Sequence, residues 1–134
     1  MSGQDHGRAE EVVTAFIGAF GKADYGRMGG LLADDVESYV TNAEGGSTLL
    51  RGRDAYMAAI ASVDYRSVGP RIEITQMLSV KPDQVLVMVE IRAERKGRKL
   101  HNFAAFLMDV REGKIRTMRM VEALPAYSDA FWKD

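Results

Sequence analysis

Apolar residues recur along the start of the chain with the spacing of a helix. Val12, Val13, Phe16, Ile17 and Phe20 fall at i, i+1, i+4, i+5 and i+8 within residues 8–22, which predicts an amphipathic helix with one buried stripe. Asp24 is placed to cap a second, shorter helix with Tyr25, Met28, Leu31 and Leu32 on its apolar side. Gly29 and Gly30 each cost that helix about 1 kcal/mol relative to alanine, so it depends on packing. The chain becomes extended through "DDVESYVTN", turns at "NAEGG" and continues through Thr48–Arg51. A third helix follows in "GRDAYMAAIASV", with Tyr56, Ile60 and Val63 on one side.

From residue 70 the period changes to two. "RIEITQMLSV" alternates at Ile72, Ile74, Leu78 and Val80, and "QVLVMVEIRAE" sets Val85, Val87, Val89, Ile91 and Ala93 against Glu90, Arg92 and Glu94. Lys96-Gly97 and Glu112-Gly113 read as hairpin turns around the strand "KLHNFAAFLMDV", and "KIRTMRMVE" is the last strand. Tyr127, Phe131 and Trp132, after Pro125, predict a short C-terminal helix that either gates an open end of the fold or docks on its core. The order α–α–β–(β)–α–β–β–β–β is that of an α+β fold, with helices covering one face of a curved, mostly antiparallel sheet. Residues 1–134 form one domain in this reading, with 1–7 a frayed or disordered start and 124–134 an aromatic C-terminal segment.

Composition narrows the function. The 134 residues suit a single domain with one core. A net charge of −1 with no basic stripe argues against nucleic acid. No apolar run approaches the ~18 residues of a membrane span, and the polar start lacks a secretory apolar region. There is no cysteine, so disulfides and thiolate chemistry are excluded and a cytoplasmic location is expected. The two histidines, His6 and His101, stand far apart, and no metal-binding or phosphate-loop motif is present. No metal and no cofactor are expected.

The stretches "VVTAFIGAFGKADYGRMGGLLADDV", "LRGRDAYMAAI" and "GRKLHNFAAFLMDVREGKIRTMRMVEALPAYSDAFW" together resemble the nuclear-transport-factor-two-like superfamily. This group includes ketosteroid isomerase, limonene epoxide hydrolase and the SnoaL-like polyketide cyclases. The resemblance implies a cone whose curved sheet and helices enclose a deep apolar cavity. It also implies that the family's reactive positions are altered here. The isomerase's oxyanion-hole tyrosine falls on Phe16, its catalytic base on Val40 and its protonated carboxylic acid on Phe106. The epoxide hydrolase's last-strand aspartate falls on Met120, and Glu90/Arg92 matches its Arg-x-Asp only in reversed order, on the outer face.

With that fold, strand alternation points Ser38, Val40 and Asn42 into the cavity from the first strand. Val87, Val89 and Ile91 follow from the long strand, then Asn102, Ala104, Phe106 and Met108, then Met118, Met120 and Glu122. Phe16, Phe20, Tyr56 and Ile60 close the helical side, and Trp132 the open end. Glu122 is the sharpest candidate, because an apolar setting raises a carboxylate's pKa and fits it for proton transfer. The alternative reading ends the strand at Val121 and leaves Glu122 at a solvated rim or paired with an arginine. Asn102 is the companion candidate, an amide able to orient a ligand's polar atom.

Two functions fit. One is an enzyme of isomerase, cyclase, dehydratase or hydrolase type, acting by acid–base chemistry on a small hydrophobic substrate through Glu122 and Asn102. The other is a non-catalytic hydrophobic-ligand-binding or dimerisation module. The strand 100–110 is apolar on both faces, which predicts a homodimer through the outer face at Leu86, Met88, Phe103 and Leu107.

Overall fold

Helix α1 (Ser2–Gly21) lies across the concave face of the sheet and buries Ala9, Val12, Val13, Phe16, Ile17 and Ala19. The computed structural model describes residues 2–133, with side chains from residue 8 onward. The stretch 1–7 thus enters only as the helical backbone of 2–7, and Met1 lies outside the described residues. Helix α2 (Tyr25–Gly30) starts as expected at Asp24, whose carboxylate accepts a 3.2 Å bond from the Arg27 amide. It stops at Gly30, so Leu32 opens strand β1 (Leu32–Thr41) instead of closing the helix.

The uncertain stretch before the third helix is strand β2 (Ser47–Arg51), joined to β1 by a turn organised around Asn42. Helix α3 (Arg53–Ala61) is followed by α4 (Tyr65–Val68), a four-residue helix ended by Gly69 in the left-handed conformation. Strands β3 (Arg71–Lys81), β4 (Gln84–Arg95), β5 (Arg98–Arg111) and β6 (Lys114–Glu122) then form a meander, and α5 (Pro125–Trp132) closes the chain. Lys96-Gly97 and Glu112-Gly113 all have φ between 52° and 76°, as two-residue hairpins matched to strand twist require.

The six strands lie in the order β2-β1-β6-β5-β4-β3, antiparallel throughout except for β1 beside β6. The sheet is curved and unclosed, and the helices fill its hollow to form the cone. Alternation along β4 and β5 is as the sequence predicts. Val85, Val87 and Val89 are buried, as are Asn102, Ala104, Phe106, Met108 and Val110.

Bulges break the alternation in β3 and β6. Ile74 pairs with Val89 and Gln76 with Met88, so Thr75 is the extra residue and positions 76–79 change face, up to a second irregularity at Val80. Ile72, Ile74, Leu78 and Val80 therefore do not share one side: Leu78 faces outward opposite Leu86 and is 60% exposed. In β6, Ile115 pairs with Val110 and Thr117 with Asp109, which leaves Arg116 as the extra residue. Arg116 leaves the line of Met118, Met120 and Glu122 and reaches Asp35 at 3.6 Å. Among the described residues no helix is long and apolar enough to cross a membrane.

Gly18 sits on the exposed side of α1, and a Cβ built there meets nothing within 4 Å. Gly18→Ala is expected to raise stability by roughly 0.5–1 kcal/mol by restricting the unfolded chain. Urea denaturation measures this, and no gain would mean that α1 does not hold its helical geometry at this turn.

Candidate active site

A cavity of about 270 Å³ opens between the sheet and helices α1, α3, α4 and α5. That is slightly below the roughly 300–1,000 Å³ of typical small-molecule sites, so it has room for a small molecule only. The cavity exists because of how three strands align. Val87, Phe106 and Met120 form one filled row across β4, β5 and β6. The next row is Val89, Ala104 and Glu122, where alanine in the middle leaves space and the carboxylate stands at its edge.

Glu122 is half-buried, and its carboxylate lies on the cavity wall. Asn102 Nδ2 donates to its Oε1 at 3.1 Å, and Ser128 on α5 supplies a second side-chain hydrogen bond. Burial raises its pKa above the usual carboxylate value, the two hydrogen bonds oppose this, and the nearby Asp129 carboxylate adds to the rise. No arginine or lysine pairs with Glu122 among the described residues.

Asn102 does not line the cavity. It is fully buried behind Glu122, and its Oδ1 accepts from the amides of Phe103 at 2.9 Å and Leu124 at 3.0 Å. One side chain thus ties the exit of β6 to β5 and orients the carboxylate, which makes Asn102 a positioning residue.

Phe20, Val40, Tyr56, Ile60, Val89 and Phe106 all line the cavity, as do Met118, Met120 and Trp132. Besides Asn102, five expected lining residues are elsewhere, Val87 and Met108 packed wholly into the core and three others as follows. Phe16 is wholly buried in the core, its ring 6.3 Å from Tyr56 and 6.5 Å from Phe20, because the first helix stripe packs on the sheet before the hollow begins. Ser38 is fully buried with no hydrogen-bond partner for its hydroxyl oxygen, deep between Leu50 and Met118. Asn42 is committed to the β1–β2 turn, where its Oδ1 accepts from the amides of Glu44 and Gly46.

The sequence reading missed Thr41, Tyr65 and Ser128. Thr41 Oγ1 bonds the Met120 carbonyl at 3.0 Å and accepts from the Glu122 amide at 3.1 Å, so it anchors the last residue of β6. Tyr65 enters from α4, which lacks the length to show a periodicity; the Asp64 start and the Gly69-Pro70 stop were its only sequence signals. Its ring meets Phe20 at 5.2 Å and Trp132 at 4.9 Å, both edge-on. Burial and the neighbouring Glu122 push its phenol far above the usual range, and burial does the same for Tyr56, so both hydroxyls stay protonated. Ser128 lies one helical turn before Trp132, and these two, not Tyr127, face the cavity from α5, while Phe131 is buried beside them. Tyr127 is exposed, and its hydroxyl donates to the Lys99 carbonyl.

The SnoaL-like domain profile matches residues 13–118, most of the chain, from within α1 to within β6. The chain belongs to the SnoaL-like family. An uncharacterised protein of Mycobacterium tuberculosis is 27% identical over 123 residues, covering 91% of this SnoaL-like chain and 94% of that protein. Among solved structures, Bal32a from a soil-derived mobile gene cassette superposes with a TM-score of 0.81 at 18% identity, covering 96% of this chain and 99% of that one. A limonene-epoxide-hydrolase-like epoxide hydrolase of M. tuberculosis superposes with a TM-score of 0.75 at 18% identity, covering 94% and 90%. At such identities the structures share the SnoaL-like fold, and chemistry must be argued from this chain's own residues.

A glutamate with a raised native pKa binds its proton more tightly when folded. Its effect on stability is therefore absent below the unfolded pKa and grows as a penalty while pH rises toward the folded value. Glu122→Gln removes that penalty. The stability of the variant relative to the parent should rise with pH from about 4.5 upward and level off above Glu122's raised pKa. Urea denaturation across a pH series measures this, and a pH-independent difference would place the carboxylate in a solvated setting.

Proposed function

We propose that this SnoaL-like protein is an enzyme acting by acid–base chemistry on a small hydrophobic substrate held in the cone cavity. The observation that carries the reading is one carboxylate among the described residues, Glu122, on the wall of a largely apolar cavity with its proton affinity raised by burial. Such a group exchanges protons nearer neutral pH than an exposed glutamate does. Glu122 takes a proton from the bound molecule or gives one to it, and Asn102 holds the carboxylate in place. The protonated phenols of Tyr56 and Tyr65 offer donors to a ligand oxygen. The reaction is of isomerase, cyclase, dehydratase or hydrolase type. It does not use the isomerase residues implied by the family resemblance, whose positions hold Phe16, Val40 and Phe106. A cytoplasmic setting belongs to the same proposal, supported by the absence of cysteine.

A panel of small enones, epoxides and cyclisable ketones tests this. Turnover of a panel member should fall at least about 100-fold in Glu122→Gln while affinity for an apolar probe stays within about threefold. A Glu122→Gln protein with the parent's rate would overturn the assignment. The second reading, a ligand-binding module, is favoured by those same apolar residues at the family's reactive positions. Saturable probe binding without turnover of any panel member would support it.

The outer sheet face supports a homodimer as part of the proposal. The β3 bulge sets Leu78 beside Leu86 and Leu107, and the next row holds Met88, Ala105 and Val121. Leu78, Met88, Phe103 and Val121 are 60%, 44%, 45% and 62% exposed, which is much apolar area for a single chain to leave in water. Light scattering should give about 30 kDa, twice the chain's 14.8 kDa, and Val121→Glu should return the monomer. A 14.8 kDa parent at micromolar concentration would remove the dimer.

A further inference from the structure

The charges around the cavity are one-sided. Among the described residues its lining holds one carboxylate and no arginine, lysine or histidine. Glu122 is held by two neutral donors, the Asn102 amide and the Ser128 hydroxyl, and a second carboxylate, Asp129, lies close enough to add to its negative potential. The cation nearest to Asp129 in sequence, Lys133, is spent on it at 2.7 Å on the exposed side of α5.

Arginines near the cavity are directed elsewhere. Arg66, next to Tyr65 in the chain, donates to the Ala23 carbonyl at 3.2 Å and lies over the Tyr25 ring at 4.8 Å. Arg98 donates to the carbonyls of Ala130 and Lys133 at the end of α5, and Arg95 to those of Phe131 and Lys133.

Facing this uncompensated carboxylate is a run of aromatic rings. Phe20, Tyr65 and Trp132 line the cavity and follow one another edge to face, at 5.2 and 4.9 Å between centroids. Aromatic faces attract cations, and a partly buried carboxylate without a cation gains most from one brought by a ligand. An anionic ligand would meet like charge with nothing to neutralise it.

We propose that the ligand of this cavity is a small, mainly hydrocarbon molecule carrying one basic nitrogen, whose ammonium group sits against Glu122 among the rings of Tyr65, Trp132 and Phe20. The inference rests on the reading of this cavity as the ligand site. It adds a charge class that the fold leaves open.

Calorimetric titration with naphthylmethylamine, naphthylmethanol and naphthoate, which share one ring system and differ in charge, tests it at neutral pH. In the parent protein the amine should bind at least about tenfold tighter than the alcohol, with naphthoate weakest. In Glu122→Gln the preference for the amine over the alcohol should shrink to within about threefold. An alcohol that matches the amine in the parent protein overturns the charge class and leaves the cavity as a site for neutral molecules. A preference that survives in Glu122→Gln overturns the role of this carboxylate. Failure of all three probes to bind would overturn the cavity reading itself, and the present proposal with it. The comparison within the parent protein holds even if the variant folds poorly.

Discussion

The register of β5 between β4 and β6 is the constraint on which the rest of the molecule depends. Pairing Ala104 with both Val89 and Glu122 puts the smallest apolar side chain of β5's inner face beside a carboxylate. One row away, Val87, Phe106 and Met120 fill the same depth, and Val85, Met108 and Met118 form the row beyond. The solid end of the cone and its hollow end are thus adjacent rows of one sheet. A slip of one residue would turn all of these side chains to the opposite face, so burial of the filled rows against α1 enforces the geometry of the hollow one.

Asn102 extends that control to the polar end of the cavity. It lies one row further along β5, opposite Ile91, and is wholly buried. A buried amide is tolerable only when its hydrogen bonds are made, and this one uses them on two backbone amides and on Glu122. The same residue thereby sets where the chain leaves β6 and where the carboxylate stands. Helix α5, which begins just after that exit, brings Ser128 and Trp132 over the opening. Arg95 and Arg98 from the β4–β5 hairpin satisfy carbonyls at the far end of α5, where cations are favoured. The roof is therefore fastened at both ends, to strands that also line the cavity.

Chemistry in this fold is a matter of which few side chains interrupt an apolar wall. Here the interruptions are Glu122, Ser128, Thr41 and two phenols. Phe16, Val40 and Phe106 keep other parts of the wall or core apolar. The contrast between a dry wall and one carboxylate raises the pKa of Glu122, because removal of water disfavours the ion more than Asn102 and Ser128 favour it.

Most of the architecture was legible along the chain. The helix stripe at Val12, Val13, Phe16 and Ile17, the alternation of β4 and β5 and the Lys96-Gly97 and Glu112-Gly113 turns are local signals, and local stereochemistry decides them. From the same alternation Glu122 could be set on the inner face with Met118 and Met120. Tertiary structure decided what pattern alone could not. The extra residues Thr75 and Arg116 are ordinary in sequence, and only pairing with β4 and β5 shows that they break the register. Tyr65 belongs to a helix of four residues, too short for a period, and Phe16 and Phe20 share one stripe although only Phe20 reaches the hollow. Asn42 and Asn102 look alike in sequence, yet one closes a surface turn and the other holds the carboxylate. Alternation determines which face a side chain takes, whereas the depth of the cavity and the partners within it depend on distant strands and helices meeting in three dimensions.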